Sequence, residues 1–243
     1  MIHDHAELAH VAIAAGEGRF NAYAGIHKAL RAALAHALFT LGRTDPTDDS
    51  ARRRTATEVA GVLALMRRHV VHEDACLHPA LQARCPGVCD AAQREHRAHD
   101  EALDRLTDAL DRWARDDRSA GGQQALYLGL ARWVGENLEH MHREETDHNT
   151  ALWSAYTDEE LIALHDALVA SIAPEEMMAY ARWLLPAMNA PERAAMLADM
   201  RAKAPPAAWE AMLAVARERL DDGDWARLAR DLGVAPVPGL VAA

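Results

Sequence analysis

The chain has 243 residues, half of them hydrophobic, and carries a formal net charge of −11. This length and composition allow a sizeable buried core, while the acidic balance argues against nucleic acid and anionic membranes as partners, because both bind basic patches. The N-terminal residues lack the pattern of a secretion signal, and no later stretch is long and apolar enough to span a membrane. We therefore expect a soluble protein of the cytoplasm.

Clusters of helix-breaking residues divide the N-terminal part of the chain. The clusters lie at residues 42–50, 85–87 and 116–122. The segments between them are predicted to be helices at about residues 19–41, 50–84, 88–115 and 123–153. Four long helices joined by short connections favour an all-α fold, an up-down-up-down antiparallel four-helix bundle.

Shorter helices are predicted after the fourth long segment. Thr157 and Glu160 have the spacing of a capping box, which opens a helix, and three prolines stand where further helices would begin. They are Pro174, Pro191 and Pro205. The predicted parts of the chain are an N-terminal segment at 1–18, the bundle at 19–155 and a C-terminal helical extension at 156–243. We expect the extension to be an additional layer of short helices that caps the bundle or forms a homodimer face.

Each of the four long segments carries a histidine on its apolar face, and two also carry a glutamate one helical turn later. These residues are His27 in the first segment, His69 and Glu73 in the second, His96 in the third, and His140 and Glu144 in the fourth. A single inward histidine is usually a hydrogen-bonded core residue. Six inward ionisable groups cost several kcal/mol per ion unless they are paired or bind metal, and no lysine or arginine on these faces is placed to neutralise the glutamates. The pattern therefore predicts a metal site.

The ligand types and their number indicate a pair of metal ions. Imidazole with carboxylate, in the absence of thiolate, suits iron, manganese or zinc, and one tetrahedral zinc would leave some of the six ligands unused. Two irons bridged by Glu73 and Glu144 would use all six and would leave about two of roughly twelve coordination positions open. We expect two iron ions, bridged by these carboxylates and by an oxo or hydroxo group, in preference to manganese or zinc.

These residues resemble the ligand set of the hemerythrin-like (HHE cation-binding) family over about residues 19–153. The matching motifs are "IHKALR" with His27, "HVVHE" with His69 and Glu73, "REHRAHD" with His96, and "HMHRE" with His140 and Glu144. The order and spacing of two His-x-x-x-Glu pairs and two single histidines carry the resemblance. It implies a four-helix bundle around a carboxylate-bridged, non-haem di-iron centre.

Three neighbouring residues leave the ligand set open. Respiratory hemerythrins have a fifth histidine where this chain has Asp100, and His99 is one residue short of that place. If His99 or Asp100 binds metal, the site resembles that of an oxygen carrier with one open coordination position. If neither binds metal, the site is more open and more reactive. Glu145 competes with Glu144, because the last carboxylate of the respiratory proteins lies one residue further from its histidine; helix geometry favours Glu144.

Seven other histidines are predicted to lie on the solvated surface or outside the bundle. They are His3, His5, His10, His72, His78, His142 and His148. A ferritin-like di-iron bundle would need Glu-x-x-His on two helices, and Glu7 with His10 and Glu145 with His148 have that spacing. The first pair precedes the long helices, and the inward histidines would have no purpose, so we prefer the hemerythrin-like arrangement.

The predicted function is the binding of dioxygen or a related small diatomic or peroxide ligand, by a carrier, store or sensor. Residues placed to line a hydrophobic pocket around the metals are Phe20, Tyr23, Leu30, Met66 and Trp133. One alternative is a di-iron enzyme that consumes peroxide, dioxygen or nitric oxide at an open site, with a proton donor such as Tyr23 or His99. Another is an iron-responsive or structural metal-binding module whose C-terminal helices contact a partner protein.

Overall fold

The computed structural model describes residues 18–115 and 119–235, which are helical between short connections and contain no strand. The predicted all-helical fold class is thus confirmed, while the residues before 18, with His3, His5 and His10, lie outside the described residues. None of the described helices combines the length and the apolar character needed to cross a membrane, and the cytoplasmic location stays a prediction. The described residues form two compact units, of which the first holds residues up to His27 and Ala33–Ser171, and the second holds Lys28–Ala32 and residues from Ile172.

The long helices before residue 172 begin and end near the clusters of helix-breaking residues predicted from the sequence. They are α1 (Ala24–Arg43), α2 (Asp49–His72), α3 (His78–Arg84), α4 (Asp90–Arg115), α5 (Ala120–Arg143), α6 (Asn149–Ala155) and α7 (Asp158–Ser171). Side chains satisfy free backbone N–H groups at helix starts, as Asp48 does for α2 and Ser119 for α5. The predicted capping box is present, since Glu160 accepts from the backbone N–H of Thr157 at 2.9 Å and donates its own N–H to the Thr157 hydroxyl at 3.3 Å.

Two wider turns lie within the longest helical segments, and each begins at one of the predicted glutamate ligands. Helix α2 continues through a π-helical turn at Glu73–Leu77 into α3, and α5 continues through a second one at Glu144–His148 into α6. A π turn has i→i+5 hydrogen bonds in place of i→i+4. The residues that follow it are therefore rotated away from the face that a simple α-helical repeat predicts.

Apolar layers lie along these helices before and after the glutamates. On α2, Val59, Leu63 and Met66 are buried before Glu73, and Leu77 is buried within the π turn that follows. Helix α2 packs against α4, and α4 packs against α5. Further buried side chains on α4 and α5 are Leu103, Leu106, Leu110, Trp113, Leu130 and Trp133. The ionisable residues are thus held between stretches of close-packed apolar side chains.

The second unit consists of short helices around its own apolar core. Its later helices are α8 (Pro174–Ala187), α9 (Ala190–Lys203), α10 (Pro206–Arg219) and α11 (Asp222–Leu232). The core includes Ala181, Leu185, Leu197, Met212, Ala216, Trp225 and Leu228. Pro174 and Pro191 stand in first turns as expected, whereas Pro205 precedes the first turn of α10. The predicted border at 155/156 and the homodimer face stay predictions.

Candidate metal centre

The structure brings the six residues predicted to bind metal together inside the first unit. They are His27 on α1, His69 on α2, His96 on α4, His140 on α5, and Glu73 and Glu144 at the starts of the two π turns. None of the six is more than 6% exposed. Each lies on the apolar stripe of its helix, so the packing that buries the stripe also carries the polar side chain inward.

The six residues form two groups that share both glutamates. The first group is His27, His69, Glu73 and Glu144, and the second is His96, His140, Glu73 and Glu144. Within each group, one ligand atom from every residue lies within 4.8 Å of the others. Two imidazoles and two carboxylates whose ligand atoms lie this close are a donor set for iron, manganese or zinc, and both carboxylates are common to the two groups.

The distances in the two groups are closely similar. One turn apart on the same segment, Nε2 of the histidine lies 3.1 Å from Oε1 of the glutamate, both for His69 with Glu73 and for His140 with Glu144. Between helices, Nε2 of His27 lies 3.6 Å from Oε1 of Glu73 and 3.6 Å from Oε2 of Glu144. Nε2 of His96 lies 3.6 Å from Oε2 of Glu73 and 3.7 Å from Oε1 of Glu144. The Nε2 atoms and the carboxylate oxygens therefore surround a common space.

Several of these buried atoms have no hydrogen-bond partner among the described residues. They are both carboxylate oxygens of Glu73 and of Glu144, and the Nε2 atoms of His27 and His69. The Nε2 atoms of His96 and His140 lie 2.8 Å apart. Because buried charge without a partner costs several kcal/mol, and because a divalent cation would supply the missing contacts, these residues fit a metal centre.

Carboxylates outside the two groups contact the second ring nitrogen of three of the histidines. The pairs are His27 Nδ1 with Glu145 Oε1 at 3.1 Å, His96 Nδ1 with Asp74 Oδ1 at 2.9 Å, and His140 Nδ1 with Glu95 Oε2 at 2.7 Å. Such contacts fix the ring and its tautomer in metal sites. Glu145 therefore lies on the Nδ1 side of His27, outside the two groups. Asp74 and Glu95 lie off the apolar stripes, so the sequence pattern does not single them out.

Contacts between imidazoles and carboxylates set the charge of the site. Burial alone would lower the pKa of His96, but contact with Glu144 outweighs this effect and raises the pKa to about 9. Burial also lowers the pKa of His27, and contacts with Glu145 and Glu73 outweigh it and raise that pKa to about 9. Burial and the charge of Glu73 raise the pKa of Glu144, yet contacts with His140 and His96 bring it down to about 2. Glu144 is thus ionised at neutral pH and attracts protons or a cation into the same space.

His99 and Asp100 lie outside both groups. The His99 ring is 5.3 Å from that of His140, and its Nδ1 has no hydrogen-bond partner among the described residues. Burial, and then the charge of His140, lowers the pKa of His99 to about 4, so this imidazole is neutral. Asp100 pairs with Arg67 at 2.8 Å at the surface. The place of a fifth histidine ligand is thus not filled by Asp100.

The surface position predicted for His78 and His148 is wrong. They are 1% and 4% exposed, and together with Glu144 they form a further group whose ligand atoms lie within 4.8 Å of one another. His78 directly follows the first π turn and His148 ends the second, so both are rotated inward relative to an α-helical repeat. The signal in the sequence is that each His-x-x-x-Glu pair is followed by another histidine, five residues after Glu73 and four after Glu144.

The stretch that carries these residues matches a known protein family. The family model described as the hemerythrin HHE cation binding domain matches residues 20–152. No curated protein and no solved structure matches the chain. The matched residues make up more than half of the sequence and include all six members of the two groups, so the protein belongs to the hemerythrin HHE cation-binding family.

Proposed function

We propose that this protein holds two iron ions in its first unit and binds dioxygen or a related small diatomic or peroxide ligand there, as a carrier, store or sensor. The observation that carries the proposal is the sharing of Glu73 and Glu144 by two groups of buried ligand atoms. His27 and His69 would hold one ion and His96 and His140 the other. When bound, two irons would supply a redox-active centre for a small ligand.

The number of ligands favours iron over zinc. Each group offers two imidazoles and one oxygen from each glutamate, which makes four protein ligands per ion. Four ligands would fill a tetrahedral zinc ion, whereas a six-coordinate ion such as iron would keep positions for a bridging group and for a small molecule. An iron pair is therefore the occupant that gives this donor set a binding function.

The surrounding side chains support a site that excludes water. Met66 and Trp133 are buried on α2 and α5, the helices that carry His69 and His140, and apolar surroundings restrict solvent access to a metal. Tyr23 is fully buried, its ring lies 5.3 Å from that of His27, and its hydroxyl has no hydrogen-bond partner among the described residues. Burial, and then the charge of Glu144, raises the pKa of Tyr23, so the phenol keeps its proton and is a hydrogen-bond donor for a small ligand.

We also infer that four helical segments form the predicted antiparallel bundle. The segments are α1, α2 with α3, α4, and α5 with α6. Each contributes at least one residue of the two metal groups, and short connections join them. Short connections place consecutive helices antiparallel to one another, which supports the up-down-up-down order.

The second candidate is a di-iron enzyme that consumes peroxide, dioxygen or nitric oxide. The observation that favours it is the presence of two buried proton-bearing groups with unpartnered atoms close to the ligands, the Tyr23 hydroxyl and Nδ1 of His99. These two groups would hold protons beside the metal pair and could supply them to a reacting small molecule. Binding and turnover can be separated by spectroscopy.

Metal analysis and the spectrum of the reduced protein test these functions. After aerobic expression with iron we expect about two irons per chain and the near-ultraviolet absorption of a bridged ferric pair. After reduction and exposure to air, a stable visible band that disappears when oxygen is removed supports reversible binding. Immediate return of the oxidised spectrum, with repeated consumption of peroxide, favours the enzyme. One zinc per chain, or no metal, would contradict both.

A further inference from the structure

A pair of buried histidines adjoins the shared glutamates and has no part in the proposed iron pair. The ring centroids of His78 and His148 lie 5.6 Å apart, with the rings nearly perpendicular. Nε2 of His78 and Nδ1 of His148 have no hydrogen-bond partner among the described residues. Both side chains are more than nine-tenths buried, so unsatisfied nitrogen atoms from two helices share one interior region.

Other unsatisfied polar groups accompany these histidines. One ligand atom each of His78, His148 and Glu144 lies within 4.8 Å of the others. The Tyr23 ring lies 6.4 Å from the His148 ring, and the Tyr23 hydroxyl lacks a hydrogen-bond partner among the described residues. Native proteins satisfy nearly all buried polar atoms with protein, water or ions, so a polar occupant is needed here.

We propose that His78, His148 and Glu144 form a third cation site, which takes a divalent ion of the zinc type and loads separately from the iron pair. Two imidazoles and one carboxylate are an established donor set for zinc, with water in the fourth tetrahedral position. An ionised carboxylate has about four lone-pair sites, so Glu144 can bridge the pair and also contact a third ion. The inference rests on the proposed function only through this shared glutamate.

The position of Asp74 supports the assignment of His78 as a ligand. Oδ1 of Asp74 lies 2.7 Å from Nδ1 of His78 and 2.9 Å from Nδ1 of His96. Histidines that bind metal usually present their second nitrogen to a carboxylate. Asp74 thus stands behind His78 as it stands behind His96, and Nε2 of His78 is left for the ion.

The test is a count of two metals in the same protein. The full-length, iron-loaded protein is incubated with zinc chloride, desalted and analysed for iron and zinc by mass spectrometry. We expect about two irons and about one zinc per chain.

His78→Gln and His148→Gln, made separately, should each keep the irons and weaken zinc binding by at least about 100-fold, because even outer partners of a metal site contribute about 10–100-fold in affinity. His142→Gln, a half-buried position on the same long segment as His148, is the matched control and should bind zinc as the wild type does.

Four outcomes would overturn the third site. If the wild-type protein holds no zinc after desalting, water fills the region instead of a cation. If zinc replaces iron while the total number of metal ions per chain stays constant, there is no third metal site. Variants that keep their zinc would exclude these histidines as ligands, and variants that lose iron would assign them to the pair. The iron count of the wild type tests the proposed function by itself, so a failure there is distinguishable from a failure in the zinc comparison.

Discussion

The two units of this protein bury different kinds of side chain. Among the described residues of the second unit, Arg193 is the buried charged side chain, and it donates to the carbonyl of Met188 at 2.9 Å and pairs with Asp224 at 3.0 Å. The rest of its buried core is apolar. The first unit instead buries both shared glutamates and a set of histidines, and the glutamate oxygens and several imidazole nitrogens have no hydrogen-bond partner among the described residues.

The stability of the first unit should depend on a bound metal ion, and that of the second unit should not. An apolar core is stabilised by burial itself, whereas a buried ionisable cluster is stable only with counter-charge and hydrogen bonds. The free energy of unfolding of the first unit should therefore depend on bound metal, because binding to the folded state adds to its stability. That of the second unit should not.

Removal of Glu144 should have the largest effect. Glu144→Ala takes a ligand from both proposed ions and leaves buried imidazoles without their carboxylate, so we expect loss of the irons and a decrease of about 3–5 kcal/mol in the free energy of unfolding. Metal analysis and denaturant unfolding measure the two effects. Hydrogen exchange should become faster in α2 and α5 and stay unchanged in α9–α11.

Glu139→Ala is the matched control for this variant. Glu139 lies on the same segment as Glu144, is 66% exposed and pairs with Arg143 at 3.2 Å at the surface. Its loss should change stability by no more than about 0.5 kcal/mol and leave the iron content unchanged. If α9–α11 exchanged faster in Glu144→Ala to the same extent as α2 and α5, the contrast between the units would be wrong.

The reverse experiment truncates the apolar core of the second unit. Leu197 is fully buried there, so Leu197→Ala should lower the free energy of unfolding by about 3 kcal/mol through lost burial and the resulting cavity. The irons should stay at the wild-type number, since no ligand of the proposed pair lies in that core. Leu197→Met, which nearly conserves volume, should cost less than about 1.5 kcal/mol. Loss of iron from folded Leu197→Ala protein would show that the second unit supports the metal site.

Breaker residues and apolar spacing predict much of the first unit. The segment predicted at 50–84 corresponds to α2, the first π turn and α3, and the segment at 123–153 lies within α5, the second π turn and α6. The period of an α-helix holds from the start of each segment to its glutamate, which is why His69, Glu73, His140 and Glu144 are found on inward faces. Their role as ligands stays a prediction.

The prediction fails where the helical period changes. A π turn depends on local hydrogen bonding that hydrophobic periodicity does not reveal, and both π turns begin at the glutamates, so the faces assigned to His78 and His148 are wrong. Contacts between helices are also hidden from single-helix patterns. Asp74 and Glu95 meet histidines of other helices, and no spacing within one segment indicates such a contact.

The outer carboxylates provide the smallest and sharpest test of the contrast between the units. Oε2 of Glu95 lies 2.7 Å from Nδ1 of His140 and 2.6 Å from the Arg143 guanidinium. Glu95→Ala should leave the proposed ligands in place but unfix the His140 ring, and lower iron affinity by about 10–100-fold, or about 1.4–2.8 kcal/mol. Competition with a chelator measures this affinity, and Glu101→Ala, at a position 76% exposed on the same helix, should bind iron like the wild type. Equal iron affinity in both variants would mean that Glu95 only forms a surface ion pair with Arg143, which contributes little. Metal binding in the first unit would then depend on the buried residues alone.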